Sequence, residues 1–297
     1  MINSEKRPSA STGRAFVEGD FLFRAEDFSR IAAMLHADAG IFLPESKATL
    51  VYSRLAKRLR TLGLQSFHDY CELVAGADGM DERQKMLVSL TTNVTSFFRE
   101  PHHFDMLRTT ILPPLLQAAK SGRRVRIWSA GCSKGHEPYS IAMTILALMP
   151  DAADYDVRIL ATDIDTEVLA EGRAGRYEES LVAAVPPAEK RRGFTSVSSA
   201  DNRILSVTPE MQRLVSFREL NLIGQWPMKG PFDVIFCRNV VIYFDDDTQA
   251  KVWTRFSSLL VPGGVLFVGH SERLLGPAQA RFTSIGTTAY RMHGAKA

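Results

Sequence analysis

The sequence predicts an α/β protein. A mostly parallel sheet with helices on both faces carries a small β-insertion, ends in an antiparallel hairpin and follows an all-helical N-terminal domain. Three observations predict it. From Phe21 to Leu90 the apolar residues recur only at helical spacing. From Val125 onward, short β-rich runs alternate with helical stretches, the signature of a parallel sheet. The first of those runs passes through a glycine-containing turn, Gly131 to Gly135, into a helix. Sheets of this kind bind ligands at the carboxyl ends of their strands.

The elements follow in order. Phe28, Ile31, Leu35 and Ala39 share one helical face, and Val51, Leu55, Leu59 and Leu62 form a second stripe. Tyr70, Leu73 and Val74 form a third, with Ser66 as N-cap. Breaks fall at Gly40 to Pro44, Gly63 and Gly76 to Gly79. In the second part, Val125-Arg126-Ile127-Trp128 precedes a helix from about Glu137, and Val157 to Ala161 precedes one from about Thr166. Asp233 to Cys237 precedes a helix from Asp246 to Leu260, Pro262-Gly263-Gly264 turns into Val265 to Val268, and Phe282 to Ile285 pairs with Thr288 to Met292. The stretch 176–217, with Pro186-Pro187 and the run Ile204 to Val207, breaks the alternation and reads as an insertion with its own antiparallel element. The expected division is a flexible tail 1–20, a helical domain 21–90 and a sheet domain 91–297 that opens with a linker 91–112.

Composition narrows the class. With 45% hydrophobic and 23% charged residues in 297, the chain has the make-up of a soluble globular protein. A net charge of +3 does not suit a polyanion binder. Cys71, Cys132 and Cys237 are odd in number, widely spaced and without a CxxC pair, so neither a disulfide framework nor a zinc site is expected from them. The N-terminus lacks an apolar signal core, and the most apolar run, Ile141 to Met149, is too short to span a bilayer. A cytoplasmic protein follows.

Five stretches carry chemistry. In Gly131-Cys132-Ser133-Lys134-Gly135-His136-Glu137 the glycines let a ligand approach the backbone. Glu137 at the helix start would repel a pyrophosphate but hold an ammonium, as S-adenosylmethionine offers. Alone, the turn is equally an ordinary connection, and His136 reads as a solvated turn residue. Asp163, past the second strand, is placed for ribose hydroxyls, while Asp165 or Thr166 serves as helix N-cap. Asn221-Leu222 suits an adenine edge and face, although a loop Asn alone is more often a turn residue. Cys237-Arg238-Asn239 to Phe244, past the next strand, sits over the reactive end; strand-end capping by Asn239 and core packing of Tyr243 are the alternatives. Thr91 to Glu100 sets Asn, Thr and Arg beside Phe97-Phe98, either a polar site under an aromatic cover or an interdomain linker with helix caps.

Taken together, Asn93-x-Thr95-x-Phe97-Phe98-Arg99-Glu100, Glu137-Pro138-Tyr139-Ser140, Ala161-Thr162-Asp163-Ile164-Asp165 and Phe236-Cys237-Arg238-Asn239-Val240-x-Ile242-Tyr243-Phe244 resemble the chemotaxis receptor methyltransferase family, CheR. The resemblance runs from about Phe21 to the C-terminus. It implies a Rossmann-like methyltransferase domain with an inserted β-subdomain behind an all-helical domain. It further implies transfer of a methyl group from S-adenosylmethionine to glutamates of chemoreceptors, giving γ-methyl esters and S-adenosylhomocysteine. The cofactor contacts it implies are Asn93, Thr95, Arg99, Gly131, Glu137, Asp163, Asn221, Leu222, Arg238 and Asn239. Where the family's turn often reads Ala-Ser-Thr-Gly-Glu-Glu, this one reads Cys132-Ser133-Lys134-Gly135-His136-Glu137 and keeps Glu137. Members that tether a receptor's C-terminal pentapeptide carry a Gly-rich loop in the β-subdomain. The matching loop, Ser196 to Asn202, has no Gly, so no tethering is expected.

A glutamate acceptor is ionised at neutral pH and needs no base. Arg99 and Tyr243 are the expected catalytic groups, orienting its carboxylate. Arg54, Lys57, Arg58 and Arg60, in a stretch with no acid between 46 and 62, form the expected docking surface for acidic receptor methylation helices; a solvated face is the plain alternative. His102-His103 cannot clamp one ion alone, because neighbours on a helix point about 100° apart, and no metal is expected. A monomer without membrane insertion or nucleic-acid partner completes the reading. Its competitors are a nucleic-acid methyltransferase, against which Arg238-Asn239-Val240-Val241 is not Asn/Asp-Pro-Pro-aromatic, and a non-catalytic S-adenosylmethionine-binding module.

Overall fold

The structure, a computed structural model, describes residues 16–17, 19–198 and 203–294. Residues 1–15 and 18 of the tail and 199–202 of the Ser196–Asn202 loop lie outside the described residues. The chain divides into two compact units, Met1–Leu90 and Thr91–Ala297.

The first unit consists of helices α1 (Ala25–Ala39), α2 (Ala48–Leu62), α3 (Phe67–Ala75) and α4 (Met80–Leu90). Phe28, Ile31, Leu35 and Ala39 bury the inner face of α1, and Val51, Leu55 and Leu59 that of α2. Leu62 departs from the expected stripe and is exposed, because it is the last residue of α2 before Gly63 turns away with φ 68°. Ser66 caps α3, its side chain accepting from the Asp69 N–H. Arg58 on α2 makes a two-pronged pair with Glu82 of α4 (2.9 and 2.6 Å), and the Tyr70 hydroxyl of α3 donates to the same carboxylate at 3.1 Å. One buried acid thereby ties three helices.

The second unit begins with α5 (Pro101–Met106), a π-helical turn (Leu107–Ile111) and α6 (Leu112–Lys120). Then come β1 (Val125–Ala130), α7 (His136–Leu148), β2 (Val157–Asp163), α8 (Thr166–Ala174), β3 (Arg176–Glu178), α9 (Pro187–Gly193), β4 (Phe194–Ser198), β5 (Arg203–Val207), α10 (Pro209–Leu214) and β6 (Val215–Glu219). It closes with β7 (Phe232–Cys237), α11 (Asp246–Leu259), β8 (Leu260–Val268), β9 (Phe282–Gly286) and β10 (Ala289–Met292). The main sheet has the order β6-β2-β1-β7-β8-β10-β9. Its first five strands are parallel, and β10 slots antiparallel between β8 and β9. The order reverses between β1 and β7, so a crevice forms beyond their carboxyl ends. β7 is buried throughout, as expected for a strand covered on both faces.

Two expectations are revised. Pro262-Gly263-Gly264 does not precede the strand; it lies within β8, which bulges opposite Phe232 to Val234. Gly264 suits that bulge because a Cβ there would come within 2.9 Å of the Val261 carbonyl. The expected insertion boundary is also too late: Val215–Glu219 pairs with β2 and belongs to the main sheet. The insertion itself is an antiparallel sheet, β3-β5-β4. Its two ends meet, since the Val207 N–H donates to the Gly175 carbonyl at 2.9 Å.

Candidate active site

At the end of β1 the chain turns through Gly131, with φ 80°, where a Cβ would stand 2.2 Å from Val240. Only glycine allows this turn and the loop after β7 to approach so closely. Gly135, with φ 88°, caps α7, and Glu137 lies in the first turn. One Glu137 oxygen accepts from the Ser129 hydroxyl at 2.7 Å, and the other from Arg238 at 3.1 Å. Burial pushes the Glu137 carboxyl up, and Arg238 pulls it back.

Arg238, just past β7, is itself buried. Its second terminal nitrogen donates to the Arg99 carbonyl, lies 3.4 Å from Glu100 and leaves the guanidinium 5.8 Å from the Phe104 ring centre. Arg238 therefore joins α7, β7 and the segment before α5. The Phe98 N–H donates to the Ser140 hydroxyl at 2.9 Å, and Arg99 donates to the Val94 carbonyl at 3.0 Å. Phe98 and Glu100 both adopt positive φ (53° and 56°), a conformation that costs non-glycine residues and is held here by these contacts.

At the last residue of β2, the Asp163 carboxylate accepts from the Ser133 N–H at 2.8 Å and the Asp165 N–H at 3.0 Å. Burial raises its pKa, and those N–H groups oppose the rise. Asp165 caps α8 and also accepts from the Asn93 amide at 2.7 Å, while the Ser133 hydroxyl donates to the Asn93 carbonyl at 3.3 Å. The Leu220 N–H donates to the Asp163 carbonyl, which brings Asn221 and buried Leu222 alongside. The Asn221 side chain accepts from the Ile223 N–H at 3.1 Å, a turn-type contact.

The structure thus links Asn93, Arg99, Gly131, Glu137, Asp163 and Arg238 around the strand ends, with Asn221 and Leu222 at their edge. Thr95 and Tyr243, both half-buried, stand outside this hydrogen-bond network. Asn239 (φ 60°) is held by a residue that sequence reading missed. Buried Glu272 accepts from the N–H groups of Asn239, Val240, Val241 and Gly269 at 2.5 to 3.0 Å. Nothing in the local pattern His270-Ser271-Glu272 marks that clamp. Ser129, Ser140 and Glu100 were equally unread as supports.

Two histidine readings change. His136 is not solvated: it is 2% exposed and packs against Phe97 and Tyr177, with ring centres 4.5 and 5.0 Å away. Burial, aided by Lys134, lowers its pKa to about 4. His103 is fully buried, and there too burial lowers the pKa to about 4. The pair His102-His103 gains a third donor: Glu100 brings its carboxylate to within 4.8 Å of ligand atoms of both rings. The expected docking surface is also altered, because Arg58 is committed to Glu82 inside the helical unit. Arg60 pairs with Asp20 at 2.7 Å, Arg54 lies 3.4 Å from the Ser89 carbonyl, and Lys57 is exposed.

Residues 26–91 match the family model described as "CheR methyltransferase, all-alpha domain", and residues 93–291 match "CheR methyltransferase, SAM binding domain". The chain belongs to the CheR methyltransferase family. It is 58% identical over 258 residues to the probable chemotaxis protein methyltransferase of Rhizobium etli, covering 87% of this chain and 96% of that protein. It is 41% identical over 266 residues to the chemotaxis protein methyltransferase of Escherichia coli K12, covering 89% and 90%. To chemotaxis protein methyltransferase 2 of Pseudomonas aeruginosa it is 40% identical over 284 residues, covering 95% and 99%.

S-adenosylmethionine is the cofactor of this CheR methyltransferase. The donor set fits it. Two carboxylates, Glu137 and Asp163, stand at the ends of β1 and β2, and Arg238 is already paired to carboxylates. A phosphate would meet repulsion there, whereas an ammonium and a ribose would meet acceptors with unused lone pairs. Among the described residues no helix is long and apolar enough to cross a membrane.

Proposed function

We propose that this methyltransferase esterifies side-chain carboxylates of specific glutamates in the cytoplasmic methylation helices of chemoreceptors. The observation that carries the reading is Arg238 tying Glu137 of α7 to the Arg99 carbonyl. In that arrangement the residue proposed to meet the acceptor is coupled to the residue proposed to hold the cofactor's ammonium. The names of the relatives, chemotaxis protein methyltransferases, support the choice of acceptor.

S-adenosylmethionine supplies a methyl group on a positively charged sulfur. Glu137 would hold the ammonium, Asp163 the ribose hydroxyls, and Asn221 and Leu222 the adenine. Asn93, Thr95, Gly131, Arg238 and Asn239 would complete the pocket. Arg99, anchored through Val94, has donors left to align an acceptor carboxylate, and Tyr243 adds a hydrogen bond. Bound there, the cofactor would supply its methyl carbon to the acceptor oxygen, with the carbon–sulfur electron pair left on sulfur. An ionised carboxylate requires no general base, so the residues act by alignment and exclusion of water. Lys57, Arg54 and Arg60 are the proposed docking groups for the acidic helix, and the β-subdomain is proposed not to tether a pentapeptide.

The test is methyl transfer from labelled cofactor to a receptor fragment. The expected product is base-labile, as an ester is. Arg99→Ala should lower the rate at saturating acceptor by at least about tenfold. An alkali-stable label would sink the ester assignment, and a full rate in the variant would remove Arg99 from its role.

A further inference from the structure

We propose that Glu100, His102 and His103 form a binding site for a divalent transition-metal ion of the zinc type, beside the start of α5. The three donors lie within 4.8 Å of one another. Adjacent histidines alone could not hold an ion, but Glu100, two residues before His102, brings a carboxylate oxygen within that distance of both rings.

The decisive geometry is at His103. Its Nε2 lies 2.9 Å from the Thr288 hydroxyl and 3.2 Å from the Thr287 carbonyl. A carbonyl only accepts, so Nε2 carries the proton and Nδ1 presents a bare lone pair. That Nδ1 is buried without a hydrogen-bond partner. It faces Glu100 Oε2 at 3.6 Å, which is also buried and has no hydrogen-bond partner. Two lone-pair atoms facing each other in a buried place repel, and a cation between them satisfies both. An imidazole whose other nitrogen donates to a backbone carbonyl is the usual support of a metal-ligating histidine.

The remaining groups fit the same occupant. Arg238 lies 3.4 Å from Glu100 Oε2, too far for a hydrogen bond made to that atom, and is shared with Glu137 at 3.1 Å. His270 stands 3.4 Å from the other Glu100 oxygen and steadies it. His102 is exposed, its ring centre 4.2 Å from that of His103, and gives the ion a route from solvent. Water completes a four-coordinate shell. Imidazole and carboxylate suit zinc, and all three cysteines are buried away from competition.

The full-length protein, stripped of metal with a chelator, should bind one Zn2+ per chain by calorimetry. Co2+ in its place should give the visible absorption of a four-coordinate ion. His102→Ala removes an exposed ring and leaves the core intact, and Glu100→Gln removes the anionic ligand. Each should weaken Zn2+ binding about tenfold or more and abolish the Co2+ band. Equal affinity in the wild type and His102→Ala, or no Co2+ band in the wild type, would overturn the site.

Discussion

At the scale of single residues, the site rests on buried polar groups whose partners come from distant stretches. His136 is the sharpest case. Its folded pKa is depressed from 6.5 to about 4, so the unfolded chain binds a proton that the folded one refuses. Stability from this residue is present above pH 6.5 and is lost as pH falls towards 4, by about 3 kcal/mol in full. His136→Phe should flatten that acid-side loss in urea unfolding, and an unchanged pH profile would disprove it. His103 titrates in the same window and should keep part of the slope. Glu272→Gln keeps the volume but replaces a charged acceptor of four N–H groups by a weaker one. We expect a loss of about 3 kcal/mol in stability and weaker binding of S-adenosylhomocysteine; calorimetry and urea titration check both. Neither residue was legible in the sequence. His136 follows a glycine turn as many solvated residues do, and the rings that bury it, Phe97 and Tyr177, lie far off along the chain. Glu137 and Asp163 were legible because helix start and strand end are themselves encoded locally.

At the scale of elements, helices were easy to read and their surfaces were not. The stripes of α1 and α2 follow from spacing alone, except at Leu62 beside the terminal glycine. The spacing of Arg54, Lys57 and Arg58 does not reveal that Arg58 turns inward, because Glu82 lies on another helix. That difference is measurable. Arg58→Glu sets two carboxylates together beside Tyr70 and should cost the helical unit about 3 to 5 kcal/mol. Lys57→Glu should leave stability within about 0.5 kcal/mol, while weakening receptor methylation and its salt dependence. Thermal unfolding of the two variants, set beside methylation at two salt concentrations, separates a structural arginine from a docking lysine. If both variants unfold alike, the assignment of Arg58 is wrong. In β8 the proline and glycines resemble a turn in sequence, and only the neighbouring strand shows that the sheet absorbs them as a bulge.

At the scale of the whole molecule, alternation of strands and helices was enough to foresee a parallel sheet. The slot of β10 between β8 and β9, and the length of the insertion, depend on pairing over long sequence distances and were less accessible. Every residue proposed to hold the cofactor lies in 91–297, within the second compact unit. A fragment 91–297 should therefore fold and bind S-adenosylhomocysteine, while receptor methylation falls if the helical unit supplies docking. Failure of the folded fragment to bind would show that the pocket needs residues before Thr91. The bond from Val207 to Gly175 has a further consequence. Because the chain departs from the sheet domain and rejoins it across one backbone hydrogen bond, the excursion is a cassette clipped at its base. The register of β2 on β6 is set outside this clip, while Tyr177 of β3 reaches back to the turn before α7 by donating to the Lys134 carbonyl at 2.7 Å, so the insertion is anchored both at its base and at the candidate site.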